Sequence, residues 1–105
     1  MLIAMQVPLS LDFIRQVLAE YFADKPVLRV EIFGSYARGE ATAESDLDVL
    51  LSRIPGSRMT LFDLVDYKDD LEHRLGVSVD LGTVISRFAR PYIEPDLLTV
   101  YEQAA

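Results

Sequence analysis

The sequence predicts an α/β fold in which helices pack on one small β-sheet. Amphipathic helical patterns alternate with short β-rich segments along the 105 residues, and such alternation is typical of layered α/β domains. Half of the residues are apolar, which is enough for a hydrophobic core and argues against disorder. We therefore expect a single domain over residues 1–105, with a strand order that the pattern alone leaves open.

The first half of the chain predicts a helix, a strand, a short helix and a second strand. Ser10 is a favourable N-cap. The apolar residues that follow it fall at helical spacing, namely Leu11, Ile14, Val17, Leu18, Tyr21 and Phe22. Pro26 ends this helix, because the residue before a proline resists helical dihedral angles. Residues 27–33 predict the first strand, residues 35–38 begin a short helix, and residues 46–52 alternate as the second strand.

The second half of the chain predicts one more long helix and one more strand. Thr60 and Asp63 resemble a capping box, and Gly76 supplies a C-terminal stop. The residues that mark the helix between them are Leu61, Leu64, Val65, Lys68, Leu71 and Leu75. Residues 77–81 alternate as the third strand. Prolines interrupt residues 87–102, so we expect a short helix there, followed by a helical or extended tail.

Composition and charge argue against several classes of protein. The chain has no cysteine, which excludes a disulfide framework and thiolate metal sites. No apolar run approaches the roughly 18 residues of a membrane span, and the N-terminus lacks the pattern of a signal peptide. The net charge of −7, with scattered basic residues, disfavours DNA or RNA as the main substrate. We expect a cytoplasmic protein with no membrane partner.

Residues 33–51 are the most informative stretch, because they combine a Gly-Ser turn with a pair of carboxylates. Asp46 and Asp48 lie two residues apart on the predicted second strand, so both side chains emerge on one face. Such close carboxylates repel each other unless a cation lies between them, and Mg²⁺ commonly binds one or two carboxylates together with substrate phosphates. Gly34 and Ser35 offer a turn, backbone N–H groups and a hydroxyl suited to phosphate. The combination predicts nucleotide chemistry.

This stretch resembles the minimal nucleotidyltransferases, the smallest members of the DNA polymerase beta superfamily. The residues that match the motifs G-S-x-A-R-G and S-D-x-D are Gly34, Ser35, Ala37, Arg38, Gly39, Ser45, Asp46 and Asp48. The resemblance implies a nucleotidyltransferase fold with a mixed sheet, in which a later strand with Asp80 lies beside the strand of Asp46 and Asp48. It also implies that these three aspartates are catalytic and bind two Mg²⁺ ions, with ATP as the substrate.

The predicted nucleotide-binding residues are Gly34, Ser35, Arg38 and Ser45. The alternative for the first two is a plain turn and a helix cap. Arg38 could pair with Glu40 or Glu44 on the surface rather than with the triphosphate. We interpret Ser45 as a turn residue that positions the aspartate after it. The alternative for the aspartates is a solvated strand face.

The resemblance also implies a function in a two-protein module. Free-standing minimal nucleotidyltransferases resemble antitoxins whose partner is a HEPN-type ribonuclease toxin. We therefore expect transfer of AMP from ATP to a tyrosine hydroxyl of that toxin, within a hetero-oligomer of the two proteins. Two alternatives stay open: an antitoxin that neutralises its toxin by binding and occlusion, and an aminoglycoside nucleotidyltransferase whose acidic cleft attracts a cationic drug. The intact aspartates argue against the first, and the lack of an extra acceptor domain argues against the second.

Overall fold

The structure is a computed structural model that describes residues 8–83 and 88–103. Its elements, in chain order, are α1 (Leu11–Phe22), β1 (Val27–Phe33), α2 (Gly34–Arg38), β2 (Leu47–Arg53), α3 (Leu61–Leu75), β3 (Val79–Gly82), α4 (Arg90–Ile93), a 3-10 turn (Glu94–Asp96) and β4 (Leu98–Glu102). Within the described residues, four strands form one sheet in the order β3-β2-β1-β4. The sheet is mixed, because β2 pairs antiparallel with β1 and parallel with β3.

The two long helices begin at the caps that the sequence predicts. The Ser10 hydroxyl accepts a hydrogen bond from the Phe13 N–H, and Thr60 and Asp63 form a complete capping box. Helix α1 packs against β4, α3 packs against β3, and the two helices contact each other. Both helices therefore cover the same face of the sheet.

The hydrophobic core lies between these helices and the face of the sheet that they cover. The strands contribute the buried residues Val27, Val30, Ile32, Leu47, Val49, Leu51 and Val79. The long helices contribute Ile14, Leu18, Tyr21, Phe22, Tyr67, Leu71 and Leu75. Because side chains alternate along a strand, the intervening residues of β2, Asp48, Leu50 and Ser52, lie on the opposite face. We call this the open face of the sheet.

The second and third strands begin later than the sequence predicts, and each extends one residue further. Strand β2 begins at Leu47 and leaves Asp46 in the preceding loop. Its first residue already donates its N–H to the Ser78 carbonyl, 2.9 Å away. Strand β3 begins at Val79, two residues later than predicted from alternation. These ends depend on which neighbouring strand supplies hydrogen bonds, and a local pattern does not contain that information.

The C-terminal tail is a strand, so the helical option for it is wrong. Strand β4 pairs antiparallel with β1, because the free edge of β1 offers backbone hydrogen bonds that an isolated tail lacks. The predicted short helix is α4. The sequence prediction for the C-terminal region began at residue 87, which lies outside the described residues. The expected domain of residues 1–105 likewise includes residues that the structure does not describe. In the described part of the chain, no helix combines the length and apolarity that crossing a membrane requires.

Candidate active site

Two of the three predicted catalytic aspartates, Asp48 and Asp80, come together at one end of the open face. Asp48 and Asp80 are paired across the parallel strands β2 and β3, as the resemblance implied. Asp46 lies two residues before Asp48, just ahead of the strand. Asp48 is half-buried, whereas Asp46 and Asp80 are exposed. The sheet thus assembles carboxylates that are distant in sequence.

The pKa of the Asp48 carboxylate is shifted by its surroundings. Partial burial raises its pKa, and the charges of Asp80 and then Asp46 raise it further, while the guanidinium of Arg38 lowers it. Removal from water and nearby like charges both disfavour an ionised carboxylate. The charges of Asp80 and Asp46 therefore disfavour the ionised form of Asp48.

The side chains at this site offer carboxylate oxygens, the type of ligand that Mg²⁺ binds. The repulsion at Asp48 is the kind that a bound cation relieves. Among the described residues, the structure contains no cluster of three or more His, Cys, Asp or Glu side chains that could hold a metal ion. Binding of two Mg²⁺ ions by Asp46, Asp48 and Asp80 therefore stays a prediction.

Gly34 brings the backbone directly against Asp48, in the turn between β1 and α2. Its φ of +75° lies in the left-handed region that favours glycine. A Cβ atom at this position would collide with Oδ2 of Asp48 and lie 3.2 Å from its Cγ. The missing side chain therefore allows both the turn and the close approach to the carboxylate.

The short helix α2 is fixed to the rest of the molecule at its centre and its end. Tyr36 is buried in the core, and its hydroxyl accepts a hydrogen bond of 3.3 Å from the Leu9 N–H. The Glu40 N–H donates to the Ser35 carbonyl at 2.9 Å. The half-buried Ser35 is therefore held in a defined first turn, beside Gly34.

Arg38 makes ion pairs on the surface. Its Nε donates to Oε1 of Glu40 at 2.8 Å, and an Nη atom donates to Oδ2 of Asp96 at 3.1 Å. The pair with Glu40 is one of the alternatives that the sequence left open. Asp96 lies in the 3-10 turn, so this bond joins α2 to the C-terminal segment, and nothing in the sequence indicates it. A contact between Arg38 and a triphosphate stays a prediction.

Ser45 has a structural role in the turn that leads to Asp46. Its hydroxyl accepts a hydrogen bond from the Thr42 N–H at 2.8 Å, and its own N–H donates to the Thr42 carbonyl at 3.1 Å. These bonds fix the loop immediately before the first aspartate. They match the supporting role that we assigned to Ser45, and a nucleotide contact is still untested.

Glu72 of α3 holds the strand that carries Asp80, a role that sequence reasoning misses. Its Oε2 accepts a hydrogen bond from the Val79 N–H at 2.8 Å and pairs with Nζ of Lys68 at 3.0 Å. The Val79 N–H first, and Lys68 second, lower the pKa of Glu72. No signal in the sequence marks this glutamate, because it resembles any other acid on a solvated helix.

Changing Glu72 should alter the pH dependence of stability. The pKa of Glu72 is lower in the folded chain than in the unfolded chain. Ionised Glu72 therefore stabilises the fold at any pH above its unfolded-state pKa. This contribution is lost as the pH falls through the folded-state pKa. The Glu72→Gln variant keeps an oxygen that can accept the Val79 N–H but has no charge. The ordinary pKa of a glutamate is 4.5. Below this pH, we expect the melting temperature of the unaltered chain to fall more steeply than that of Glu72→Gln.

Thermal denaturation followed by circular dichroism at several acidic pH values checks this expectation. Asp66→Asn is a suitable control, because Asp66 is an exposed carboxylate on the same helix. Equal acid sensitivity of the unaltered chain and Glu72→Gln would contradict the role given to the Val79 hydrogen bond.

Comparison with known sequences gives a consistent family relationship. The model of the nucleotidyltransferase domain family matches residues 13–100. The chain is 40% identical over 79 residues to one candidate protein adenylyltransferase of Methanocaldococcus jannaschii, covering 70% of this chain and 76% of that protein. It is 33% identical over 98 residues to a second, covering 87% and 98%. It is also 40% identical over 57 residues to the protein adenylyltransferase MntA of Thermococcus cleftensis, covering 52% and 54%.

Solved structures share the fold. A candidate minimal nucleotidyltransferase is 32% identical with a TM-score of 0.71, and the match covers 89% of this chain and 98% of that one. A chain of a toxin–antitoxin structure with AMP-PNP is 15% identical, with a TM-score of 0.69 and coverage of 88% and 74%. A chain of the complex between tri-AMPylated Shewanella oneidensis HEPN toxin and MNT antitoxin is 13% identical, with a TM-score of 0.67 and coverage of 89% and 73%. At such low identity, these last two likenesses show the fold alone.

Proposed function

Because the chain belongs to the nucleotidyltransferase domain family, among its minimal nucleotidyltransferases, we propose that it transfers AMP from ATP to a tyrosine hydroxyl of a HEPN-type ribonuclease toxin. The modification would silence the toxin, and this chain would be its antitoxin. The observation that carries the proposal is the pairing of Asp48 with Asp80 next to the Gly34 turn. Carboxylates that suit Mg²⁺ and a glycine turn that we assign to phosphate then lie side by side.

The roles of the aspartates follow from the charge that develops during the reaction. The acceptor oxygen attacks the α-phosphorus of ATP in line, a new P–O bond forms, and pyrophosphate leaves. Bound Mg²⁺ would supply positive charge at the attacking and leaving oxygens. We assign Asp46 and Asp48 to hold both ions. Asp80 would hold one of them and accept the proton of the incoming hydroxyl.

The nucleotide would lie along the turn between β1 and α2. We assign its phosphates to the N–H groups at the start of α2 and to the Ser35 hydroxyl, since both are hydrogen-bond donors that suit an anion. Gly34 would let the Asp48 carboxylate lie against the turn that binds the phosphates. Arg38, whose charge already acts on Asp48, would offset part of the triphosphate charge, and Ser45 would keep Asp46 in place.

Surface composition supports a protein as the partner. Three large apolar side chains at the start of α3 are strongly exposed: Leu61 by 79%, Phe62 by 83% and Val65 by 63%. Contiguous apolar surface of this kind is typical of interaction sites. The net charge of −7 argues against nucleic acid as the main substrate. We propose a cytoplasmic complex with the toxin, without a membrane partner.

Incubation with the candidate toxin, ATP and Mg²⁺ tests the function. The partner to use is the protein encoded by the gene next to that of this chain, which the proposal expects to be of the HEPN type. We expect mass spectrometry to find one or more AMP groups on a tyrosine of that protein, because the site is built for nucleotidyl transfer. The modified toxin should remain inactive after this chain is removed, and the double variant Asp46→Asn, Asp48→Asn should fold but fail to protect cells.

An antitoxin that acts by occlusion makes the opposite forecast. It leaves the mass of the toxin unchanged, the double variant protects cells, and toxicity returns when the two proteins are separated. That combination would overturn the enzymatic proposal.

A further inference from the structure

The open face of the sheet carries a cleft of about 450 Å³. Its floor and wall include Arg29, Glu31, Leu50, Ser52, Arg90 and Glu94. The floor residues belong to β1 and β2, and the wall residues belong to α4 and the 3-10 turn. We call this the open-face cleft.

The floor of the open-face cleft continues the row of catalytic carboxylates. Leu50 is two residues beyond Asp48 on β2, so it lies on the same face, about 7 Å further along the strand. Leu50 pairs with Gly82 of β3 on one side and with Glu31 of β1 on the other. The row next to Asp48 and Asp80 is therefore formed by Gly82, Leu50 and Glu31.

Gly82 leaves open space in this second row. A Cβ atom at Gly82 would meet no other atom of the described residues within 4 Å, and Gly82 is not one of the glycines with a positive φ. Among the described residues, neither backbone strain nor a close contact thus requires glycine here. A glycine inside a strand commonly marks a place where a ligand or another backbone approaches closely.

Arg29 forms ion pairs with Glu31 and Glu102, but one of its N–H groups makes no hydrogen bond within the described residues. Its Nε is buried without a hydrogen-bond acceptor among the described residues, since the ion pair with Oε2 of Glu102 has a distance of 3.6 Å, which is too long for a hydrogen bond. Buried polar groups are normally hydrogen-bonded, to protein or to water. The Arg29 side chain as a whole is 40% exposed and lines the cleft, so its guanidinium also offers N–H donors to a carbonyl oxygen of an incoming peptide segment.

The open-face cleft also connects with the apolar surface at the start of α3. A second groove, of about 460 Å³, is lined by Leu61 and Leu64 together with Ser52 and Thr83. Ser52 and Thr83 line the open-face cleft as well. A segment of a partner docked near Leu61 can therefore enter the open-face cleft past these two residues.

We propose that the open-face cleft binds the acceptor segment of the partner, with the acceptor tyrosine ring on the sheet above Gly82, against the Leu50 side chain at the edge of the cleft, and its hydroxyl beside Asp80. A tyrosine side chain is about as long as the rise of two strand residues, the separation of the two rows. Serine and threonine hydroxyls lie too near their own backbone to span it. The assignment rests on the proposed function: the hydroxyl oxygen attacks the α-phosphorus, pyrophosphate leaves, and the proton passes to Asp80.

The Gly82→Val variant fills the gap and tests the proposal. Its branched side chain suits a strand and meets no neighbour at Cβ. With the product of the neighbouring gene as acceptor, we expect the rate of AMP transfer to fall about tenfold or more. Affinity for AMP-PNP, measured by calorimetry, should stay within about twofold. Adding Leu50→Ala to Gly82→Val removes bulk from the same gap and should restore part of the transfer.

Further variants separate blockage of the cleft from damage to the fold. Leu50→Lys keeps a long side chain that can reach water, so it should lower transfer in the same way even if Gly82→Val fails to fold. Thr99→Val, at an exposed β4 residue that does not line the cleft, should transfer AMP like the unaltered chain.

The outcomes distinguish the two proposals. Normal transfer by folded Gly82→Val or by Leu50→Lys would overturn the cleft assignment and leave the proposed function standing. Loss of AMP-PNP binding along with transfer would overturn the cleft assignment as well, because the effect would then be on the nucleotide. If the unaltered chain transfers no AMP, both proposals fail.

Discussion

The Asp48→Asn variant is expected to lose AMP transfer by about a hundredfold to a thousandfold while remaining folded. Asp48 is the half-buried member of the carboxylate set, paired with Asp80 and in contact range of the Gly34 turn. Asparagine has nearly the same shape, so packing is kept, but it cannot supply the negative charge that Mg²⁺ requires. Transfer rates measured by mass spectrometry on the toxin check the result.

The same variant should be more stable than the unaltered chain at neutral pH. The pKa of Asp48 is raised in the folded chain above its unfolded-state value of 3.8. The stability that protonated Asp48 contributes is therefore fully present when the pH is below 3.8. This contribution is lost as the pH rises through the pKa that Asp48 has in the folded chain. The asparagine side chain of the variant carries no charge at any pH, so the advantage of the variant should shrink as the solution is acidified.

Thermal denaturation of both proteins over a pH series, without Mg²⁺, measures this difference. Asp66→Asn is the matched control, since it removes an exposed charge from the same chain without touching the open face. Full transfer by Asp48→Asn would remove Asp48 from the catalytic set. An advantage that does not change with pH would show that the repulsion at Asp48 is unimportant for stability.

The Gly34→Val variant is expected to be destabilised by roughly 1–3 kcal/mol and to lose at least about tenfold in affinity for ATP analogues. Its φ of +75° is strained for any residue with a side chain. Its Cβ would also collide with Oδ2 of Asp48, so the turn or the carboxylate must shift. Either shift displaces the backbone that we assign to phosphate.

Gly56→Val separates strain from the collision. Gly56 has a similar φ of +81°, and a Cβ there meets nothing within 4 Å of the described residues. Chemical denaturation should show that both variants are destabilised, whereas calorimetry with AMP-PNP should show weaker binding only for Gly34→Val. A folded Gly34→Val that binds AMP-PNP normally would return Gly34 to the role of a plain turn.

Local signals in the sequence determined the helices and the elements of the candidate site. The caps at Ser10 and Thr60 and the stop at Gly76 act within a few residues of themselves, so they are visible in the sequence. Alternation along residues 47–51 likewise fixes which side chains face the core, and it places Asp48 on the other face. The motif that contains Gly34 is readable for the same reason.

Only the tertiary structure decided how these pieces meet. The pairing of Asp48 with Asp80 depends on β3 lying beside β2, and the tail forms a strand only because β1 has a free edge. The hydrogen bond from Val79 to Glu72 and the gap at Gly82 likewise depend on neighbours that are remote in the chain. Contacts between residues distant in sequence leave no local pattern in composition or periodicity, so they become visible only once the sheet is assembled.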